Sequence, residues 1–135
     1  MALTKVTAAV LEPTAVTDNI SDGSISSAKL ADDAVSYDKL GAEFTTSAAL
    51  SASNVDFSSA QVFTKTLTAN DTLTFSNVST GMVKDLVITG NFTLTLPASV
   101  KVISGTYDGT VSNLIQIVST NGATEQWATI SQEAV

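Results

Sequence analysis

The chain has 135 residues with no Cys, no His and no Arg, and its net charge at pH 7 is −7. Hydrophobic residues make up 44% and charged residues only 14%, so 20 Thr and 17 Ser supply most of the polarity. An acidic chain whose only cations are six Lys is a poor binder of nucleic acid or anionic membranes. The absence of Cys excludes disulfides, thiolate chemistry and Cys-type zinc sites.

Residues 1–20 are predicted to form an arm that attaches the chain to a partner protein. Apolar side chains alternate weakly in ALTKVTAAVL, and Pro13 favours an extended backbone for the residue before it. A frayed terminus explains the same pattern equally well. The candidate attachment residues are Leu3, Val6, Val10 and Leu11.

Targeting and membrane segments are not expected. The opening MALTKVTAAVLEPT has only Lys5 and lacks an apolar run of signal-peptide length, so we expect no cleaved leader. No stretch approaches the ~20 apolar residues that a membrane span needs. The sequence therefore predicts no membrane insertion and assembly in a cytoplasm-like compartment.

Residues 22–44, the repeat segment, contain two copies of a ten-residue unit in DGSISSAKLADDAVSYDKL. Each copy offers one β-branched residue and one Leu for burial, which is too little for a core of its own. We therefore expect identical chains to complete it around a common axis, as a homotrimer. The predicted trimer interface comprises Ile25, Leu30, Val35, Leu40 and Phe44.

The conformation of the repeat segment is predicted to be short helical turns joined by extended pieces. Residues 26–30 and 36–40 each begin with Ser, a good N-cap, and Gly41 suits a helix end. Asp32-Asp33 and the β-branched residues interrupt a continuous helix. Residues 45–60 are rich in Ala and Ser, and they complete a predicted shaft and linker over residues 21–60.

Residues 61–135 are predicted to form an antiparallel β-sandwich or small jelly roll. Apolar residues alternate with Thr in six or seven strands, which Gly, Asn, Asp and Pro separate at roughly 8–12-residue spacing. Asn121-Gly122 is a strong hairpin signal. The fold class is therefore mainly β, with an extended arm, a short repeat ribbon and a C-terminal antiparallel domain.

Three stretches resemble tailed-bacteriophage fibre proteins: MALTKVT, the DGSISSAKLADDAVSYDKL repeat, and TKTLTANDTLTFSNVSTGMVKDLVITGNFTLTLPASVKVISG. They are similar, in turn, to the virion-attachment start, the three-chain shaft repeats and the distal β domains of such fibres. The resemblance implies a homotrimeric virion surface protein that binds other phage virion proteins in the tail, baseplate or capsid. With only two shaft repeats, a compact capsid cement or decoration protein is the alternative.

The sequence offers little to support catalysis, a cofactor or a metal. It has no His, no Cys and no Gly-rich phosphate loop, whereas acid/base chemistry needs paired titratable groups in a cleft. Asp32, Asp33 and Asp38 are the densest carboxylates, but a calcium site requires more oxygen ligands in a tight loop. We therefore predict a non-enzymatic protein with no cofactor and no metal site.

A stand-alone glycan-binding β domain is the third hypothesis, since exposed aromatic rings can form a sugar platform. Trp127 is expected to pack in a core or between chains, because aromatic residues in strands are usually buried. Tyr107, in the loop Gly105-Thr106-Tyr107-Asp108-Gly109, is the candidate surface contact, for a host glycan or another virion part.

Overall fold

A computed structural model describes residues 26, 30–32 and 34–134 of the chain, and this part is mainly β. Contacts divide the chain into two compact units between Ser36 and Tyr37. In the described part of the first unit, the Ala34 amide donates to the Ala31 carbonyl oxygen at 3.1 Å to form one turn. The side chains there are exposed, so these residues show no core of their own.

The second unit begins with two short helical turns. A 3-10 turn spans Tyr37–Lys39, and helix α1 spans Ala42–Thr45. Gly41 lies between them and is the N-cap of α1, with an extended backbone. The predicted pattern of single turns is confirmed for residues 36–40, and none of the α1 side chains is fully buried.

Ten strands follow in the described residues. They are β1 (Ser47–Ala49), β2 (Asn54–Asp56), β3 (Val62–Thr66), β4 (Asp71–Thr72), β5 (Thr74–Ser76), β6 (Val83–Thr89), β7 (Leu94–Thr95), β8 (Val100–Ser104), β9 (Asn113–Asn121) and β10 (Glu125–Gln132). β1 and β2 lie within the stretch that the sequence assigned to a linker.

The chain winds in successive coils, which begin at β1, β3 and β6 and stack on one another as in a solenoid. β1, β3 and β6 pair in parallel, as do β2 with β5 and β4 with β7. The register places Ser47 beside Val62 and Val62 beside Asp85, so equivalent strands recur after 15 and 23 residues. We call residues 47–132 the solenoid domain.

The predicted antiparallel sandwich is therefore wrong, although the mainly β class is confirmed. Alternation of apolar residues with Thr specifies which face of a strand is buried, but not which strand it pairs with. Among the described strands, antiparallel pairing is limited to the C-terminal end, where β9 pairs with β6 and with β10. The predicted Asn121-Gly122 hairpin joins β9 to β10, and the six-stranded sheet has the order β1-β3-β6-β9-β10-β8.

The core lies inside the stacked coils. Val55 and Phe57, from the first coil, are completely buried, and the Phe57 ring lies 5.2 Å from that of Phe75 between ring centroids. The other fully or almost fully buried apolar residues are Ala60, Phe63, Leu67, Leu73, Leu86, Ile88, Ile115, Ile117 and Ala128. The solenoid domain thus contains a core supplied by one chain.

Gly90 allows the second and third coils to approach closely. Its φ is +109°, and a Cβ there would lie 2.4 Å from the Leu67 carbonyl oxygen. The Leu67 amide donates to the Thr89 carbonyl oxygen at 2.8 Å in the same contact. Only glycine tolerates both the positive φ and the missing space.

Candidate interaction surfaces

The described residues of the predicted trimer interface are exposed in the single chain. Leu30 and Val35 are 47% and 60% exposed, and Leu40 and Phe44 are 45% and 57% exposed. Ile25 lies outside the described residues, as do the four predicted attachment residues Leu3, Val6, Val10 and Leu11. Leu40 and Phe44 belong to the same compact unit as the solenoid domain.

Phe44 lies beside Lys84, a lysine almost fully buried on the inner face of β6. The Lys84 ammonium lies 5.9 Å from the centroid of the Phe44 ring, which is within cation–π range. It also donates a hydrogen bond to the carbonyl oxygen of Glu43. Burial lowers the pKa of Lys84, and the Glu43 carboxylate opposes that shift. Lys84 thus fixes α1 to the solenoid domain.

A row of apolar side chains crosses the outer face of the six-stranded sheet. Val83 on β6 lies opposite Val118 on β9, and Val118 lies opposite Trp127 on β10. They are 37%, 38% and 43% exposed. Side chains directly opposite in antiparallel strands lie within ~5.5 Å of each other at Cβ. The three residues therefore form one continuous apolar row.

The two ends of this row have different surroundings. At the Val83 end, a groove is lined by Phe44, Met82, Val83 and Lys84, together with Gln61, Thr80 and Gly81. At the other end the Trp127 indole N–H donates to the Glu125 carboxylate at 3.0 Å, and Lys101 forms an ion pair with Glu125. The Trp127 side chain is thereby held by a hydrogen bond while its surface remains 43% exposed.

Tyr107 is partly buried at an apolar groove of about 520 Å³. Its hydroxyl donates to the Gly90 carbonyl oxygen at 2.7 Å, and burial raises the pKa of the phenol. The groove is lined by Leu94, Leu96, Val102 and Ile130, together with Thr95, Gly105 and Thr106. The hydroxyl therefore has a structural partner, and a role for Tyr107 in surface contact stays a prediction.

Inside the first two coils, Lys65 and Asp71 form an ion pair at 2.8 Å with side chains only 12% and 14% exposed. Ser53 donates to the same carboxylate, and Lys65 donates to the Ala52 carbonyl oxygen at 2.8 Å. The hydrogen bond from Lys65 holds the pKa of Asp71 below its ordinary value, with Ser53 adding to it. Each charge has a partner, so the cluster joins coils rather than offering a reactive group.

Two further carboxylates have pKa values lowered by local turns. Asp56 accepts from Asn77 and Ser58, and Asp108 accepts from the amide and hydroxyl of Thr110. These hydrogen bonds lower the pKa of both carboxyls. Among the described residues, no group of three or more acidic residues is placed to hold a metal ion. Within the same part of the chain, no helix has the length and apolarity of a membrane span.

Comparison with known proteins finds no family model that matches the chain, and no curated protein or solved structure that matches it.

Val83, Val118 and Lys84 are surface or contact residues that were not predicted from the sequence. The signal for Val83 and Val118 is the strict period of two in β6 and β9, which puts them on the opposite face from Leu86 and Ile117. For Lys84, the same period places the lysine among the buried positions of β6. That is unusual for Lys and indicates a specific partner.

Proposed function

We propose that the chain is a non-enzymatic structural protein of a phage virion, built as a short homotrimeric fibre. Its N-terminal arm attaches to the particle, and its β domain points outward to contact the host surface or another virion protein. The resemblance of MALTKVT and of the ten-residue repeat to fibre proteins supports this proposal. The parallel coils are consistent with it, since solenoids serve as extended, rigid scaffolds.

The exposure of the repeat segment carries the trimeric part of the proposal. Leu30, Val35 and Phe44 are each about half exposed or more, although the same chain buries its solenoid core completely. Exposed apolar residues that recur at a fixed interval mark an interaction surface better than scattered ones do. Three copies around one axis bury the repeat positions against their equivalents in the other copies.

Light scattering of the full chain tests the trimer. We expect a mass three times the 13.9 kDa of one chain. The variant Leu30→Ser/Val35→Ser/Leu40→Ser should give a single-chain mass with an unchanged far-UV circular dichroism spectrum, because these residues are about half exposed and lie outside the buried core of the single chain. A wild-type monomer at all concentrations contradicts the proposal.

Immunoelectron microscopy of particles produced from the encoding genome tests the location. Labelling on thin projections of the tail or head supports a fibre. Even labelling of the capsid shell supports the cement protein instead and contradicts the fibre. Absence of labelling on intact particles, with the antibody shown to bind the purified chain, contradicts both.

A further inference from the structure

The third coil has an open edge at residues 94–96, beside the groove at Tyr107. β7 pairs with β4 on one side, and among the described strands it has no neighbour on its other side. Residues 94–96 themselves line the groove. We propose that the groove binds an extended, uncharged segment of another protein, which adds to β7 as a further strand. The inference deepens the proposed function and rests on it for the outward contact of the β domain.

The hydrogen bonds of β7 leave backbone groups available for such a strand. The amides of Asp71 and Leu73 donate to the two carbonyl oxygens that flank Leu94, both at 2.9 Å. Alternate residues of a parallel strand direct their backbone groups to opposite sides, so those of Leu94 and Leu96 point away from β4. Within the described part of the chain, neither residue has a backbone hydrogen bond on that side. An unpaired edge of this kind is a template for another extended chain.

The walls of the groove determine which side chains the segment carries. Besides residues 94–96, the lining residues are Val102, Gly105, Thr106, Tyr107 and Ile130. No charged side chain is among them, so a charge on the segment would lose its hydration there without gaining a counter-charge. The nearby Asp108 carboxylate accepts from Thr110 and further disfavours an acidic segment. The segment therefore presents aliphatic side chains to the groove.

The same walls fit a polypeptide better than a sugar. The Tyr107 hydroxyl already donates to the Gly90 carbonyl oxygen at 2.7 Å. The other polar side chains of the lining are those of Thr95 and Thr106, whereas a sugar site needs several polar groups that converge on its hydroxyls. Free backbone groups beside aliphatic walls match a strand, which uses its backbone and its alternate side chains together.

The stacking of the coils indicates which sequence fits the open edge. Thr72 lies beside Thr95 in the pairing of β4 with β7, so Thr stacks on Thr between the second and third coils. The sequence of residues 91–96, NFTLTL, alternates apolar residues with Thr and carries no charge. A synthetic peptide of this sequence is therefore a suitable probe.

The open edge is short, which limits the affinity. The chain turns directly after Leu96, where the Val100 amide donates to the Pro97 carbonyl oxygen at 2.9 Å. A segment can therefore pair only over residues 94–96, and it gains its remaining contacts from the groove of about 520 Å³. Removal of either the backbone bonds or the groove contacts should cause a large loss of binding.

Fluorescence anisotropy of the labelled peptide, titrated with the full chain, tests the backbone bonds. In a parallel arrangement like that of β4 and β7, the Thr amides of the peptide face the open edge and the Leu amides face away. N-methylation of the two Thr amides should weaken binding at least tenfold, and N-methylation of the two Leu amides less than threefold. Equal loss with both methylated peptides, or none with either, overturns strand addition.

A matched pair of variants tests the groove. Val102→Asp and Ile103→Asp introduce the same charge at neighbouring positions of β8, 46% and 58% exposed, and only Val102 lines the groove. Val102→Asp should weaken peptide binding at least tenfold, and Ile103→Asp less than threefold. Equal weakening, or none by Val102→Asp with the fold intact by circular dichroism, overturns the proposal.

Light scattering of the same variants separates the groove from the proposed trimer. Val102→Asp should leave the mass of the chain unchanged, because the occupant of the groove is another protein. A lower mass than that of wild type would mean that a second copy fills the groove, and it overturns the proposal. A wild type that is monomeric at every concentration and still binds the peptide contradicts the trimer and supports the groove.

Discussion

The repeat segment and the solenoid domain use apolar residues in opposite ways. In the solenoid domain, Phe57, Leu86 and Ile117 are completely buried within one chain. In the described repeat segment, Val35 is 60% exposed and Phe44 is 57% exposed. Both regions are rich in Ser, but the repeat segment, unlike the solenoid domain, contains no Thr.

Stacking of coils explains why the solenoid domain buries its apolar residues and the repeat segment exposes them. Each coil of the solenoid domain finds its neighbour 15–23 residues along the same chain, and it buries its apolar face against that neighbour. The described part of the repeat segment has helical turns of three and four residues, too short to bury a face on their own. A single chain thus supplies the packing partner within the solenoid domain, and for the repeat segment we propose that another copy of the chain supplies it.

Truncation of a phenylalanine in each of the two regions should give the largest difference in the free energy of unfolding. Phe57→Ala removes a fully buried ring that packs on Phe75, and we expect it to lower the free energy of unfolding by about 3–5 kcal/mol. Phe44→Ala removes an exposed ring with one cation–π contact, and we expect a loss below about 1 kcal/mol. Urea unfolding at one fixed protein concentration measures both.

The same two alanine variants separate effects on folding of the single chain from effects on assembly. Phe44→Ala should lower the stability of the proposed trimer more than that of the single chain, because the proposal has another copy cover this exposed ring. Measuring the monomeric background variant beside the wild type provides the control. Equal losses for the two alanine variants in the monomer would show that Phe44 is a core residue and would remove the contrast.

Glycine substitution tests how tightly the coils stack. Gly90→Ala places a Cβ 2.4 Å from the Leu67 carbonyl oxygen at positive φ, whereas Gly81→Ala has positive φ and no atom within 4 Å. We expect Gly90→Ala to lower the free energy of unfolding by about 2–4 kcal/mol and Gly81→Ala by about 1–2 kcal/mol. Thermal unfolding of both variants measures the difference, and losses of the same size would mean that the coils relax apart.

The sequence predicts strands well but not their partners. The alternation in Phe63, Lys65 and Leu67 indicates a strand correctly, and Asn121-Gly122 indicates a hairpin that is present. Local patterns favoured antiparallel neighbours throughout, because a hairpin needs only a turn whereas parallel stacking depends on contacts 15–23 residues apart. Long-range register is therefore the part that single-sequence patterns miss.

For the candidate surfaces, too, the sequence pattern identifies some residues and misses others. The ten-residue period identifies Leu30, Val35 and Leu40, which are about half exposed in the single chain, and their place in a trimer interface stays a prediction. The Val83–Val118–Trp127 row has no period along the chain, since its members come together only through strand pairing. Such a surface becomes visible only once the sheet order is known.

Removal of a carboxylate should also lower the free energy of unfolding more in the solenoid domain than in the repeat segment, but by less than the phenylalanine and glycine substitutions do. Asp71→Asn breaks the partly buried pair with Lys65 and weakens the bond from Ser53, and we expect a loss of about 1–3 kcal/mol. Asp38→Asn is the matched control, because Asp38 and Lys39 form an exposed pair with side chains 68% and 63% accessible. Exposed pairs contribute little, so urea unfolding should not resolve this control from wild type.

Acid should remove the contribution of the Asp71 carboxylate to the stability of the fold. The pKa of this carboxyl in the folded chain lies below its ordinary value of 3.8, because Lys65 and Ser53 hydrogen-bond the charged form. The carboxylate therefore stabilises the fold at pH values above 3.8, and this contribution is lost as the pH falls through the lower, folded pKa. The difference between wild type and Asp71→Asn should shrink under acid. A difference that stays constant with pH would indicate that the asparagine variant perturbs packing instead.

Lys84 connects the two regions, and its titration should give the smallest effect. Burial lowers its pKa below the ordinary value of 10.5, so between the folded pKa and 10.5 the unfolded chain binds more protons than the folded chain. Stability from this site therefore rises with pH across that window. The free energies of unfolding of wild type and Lys84→Met should be measured over alkaline pH. Their difference should shift in favour of wild type as the pH rises. Lys101→Met, which removes an exposed ammonium, controls for the change in net charge. If the difference does not change with pH, Lys84 retains water around its ammonium, and α1 is held to the solenoid domain by the Phe44 ring rather than by a desolvated cation.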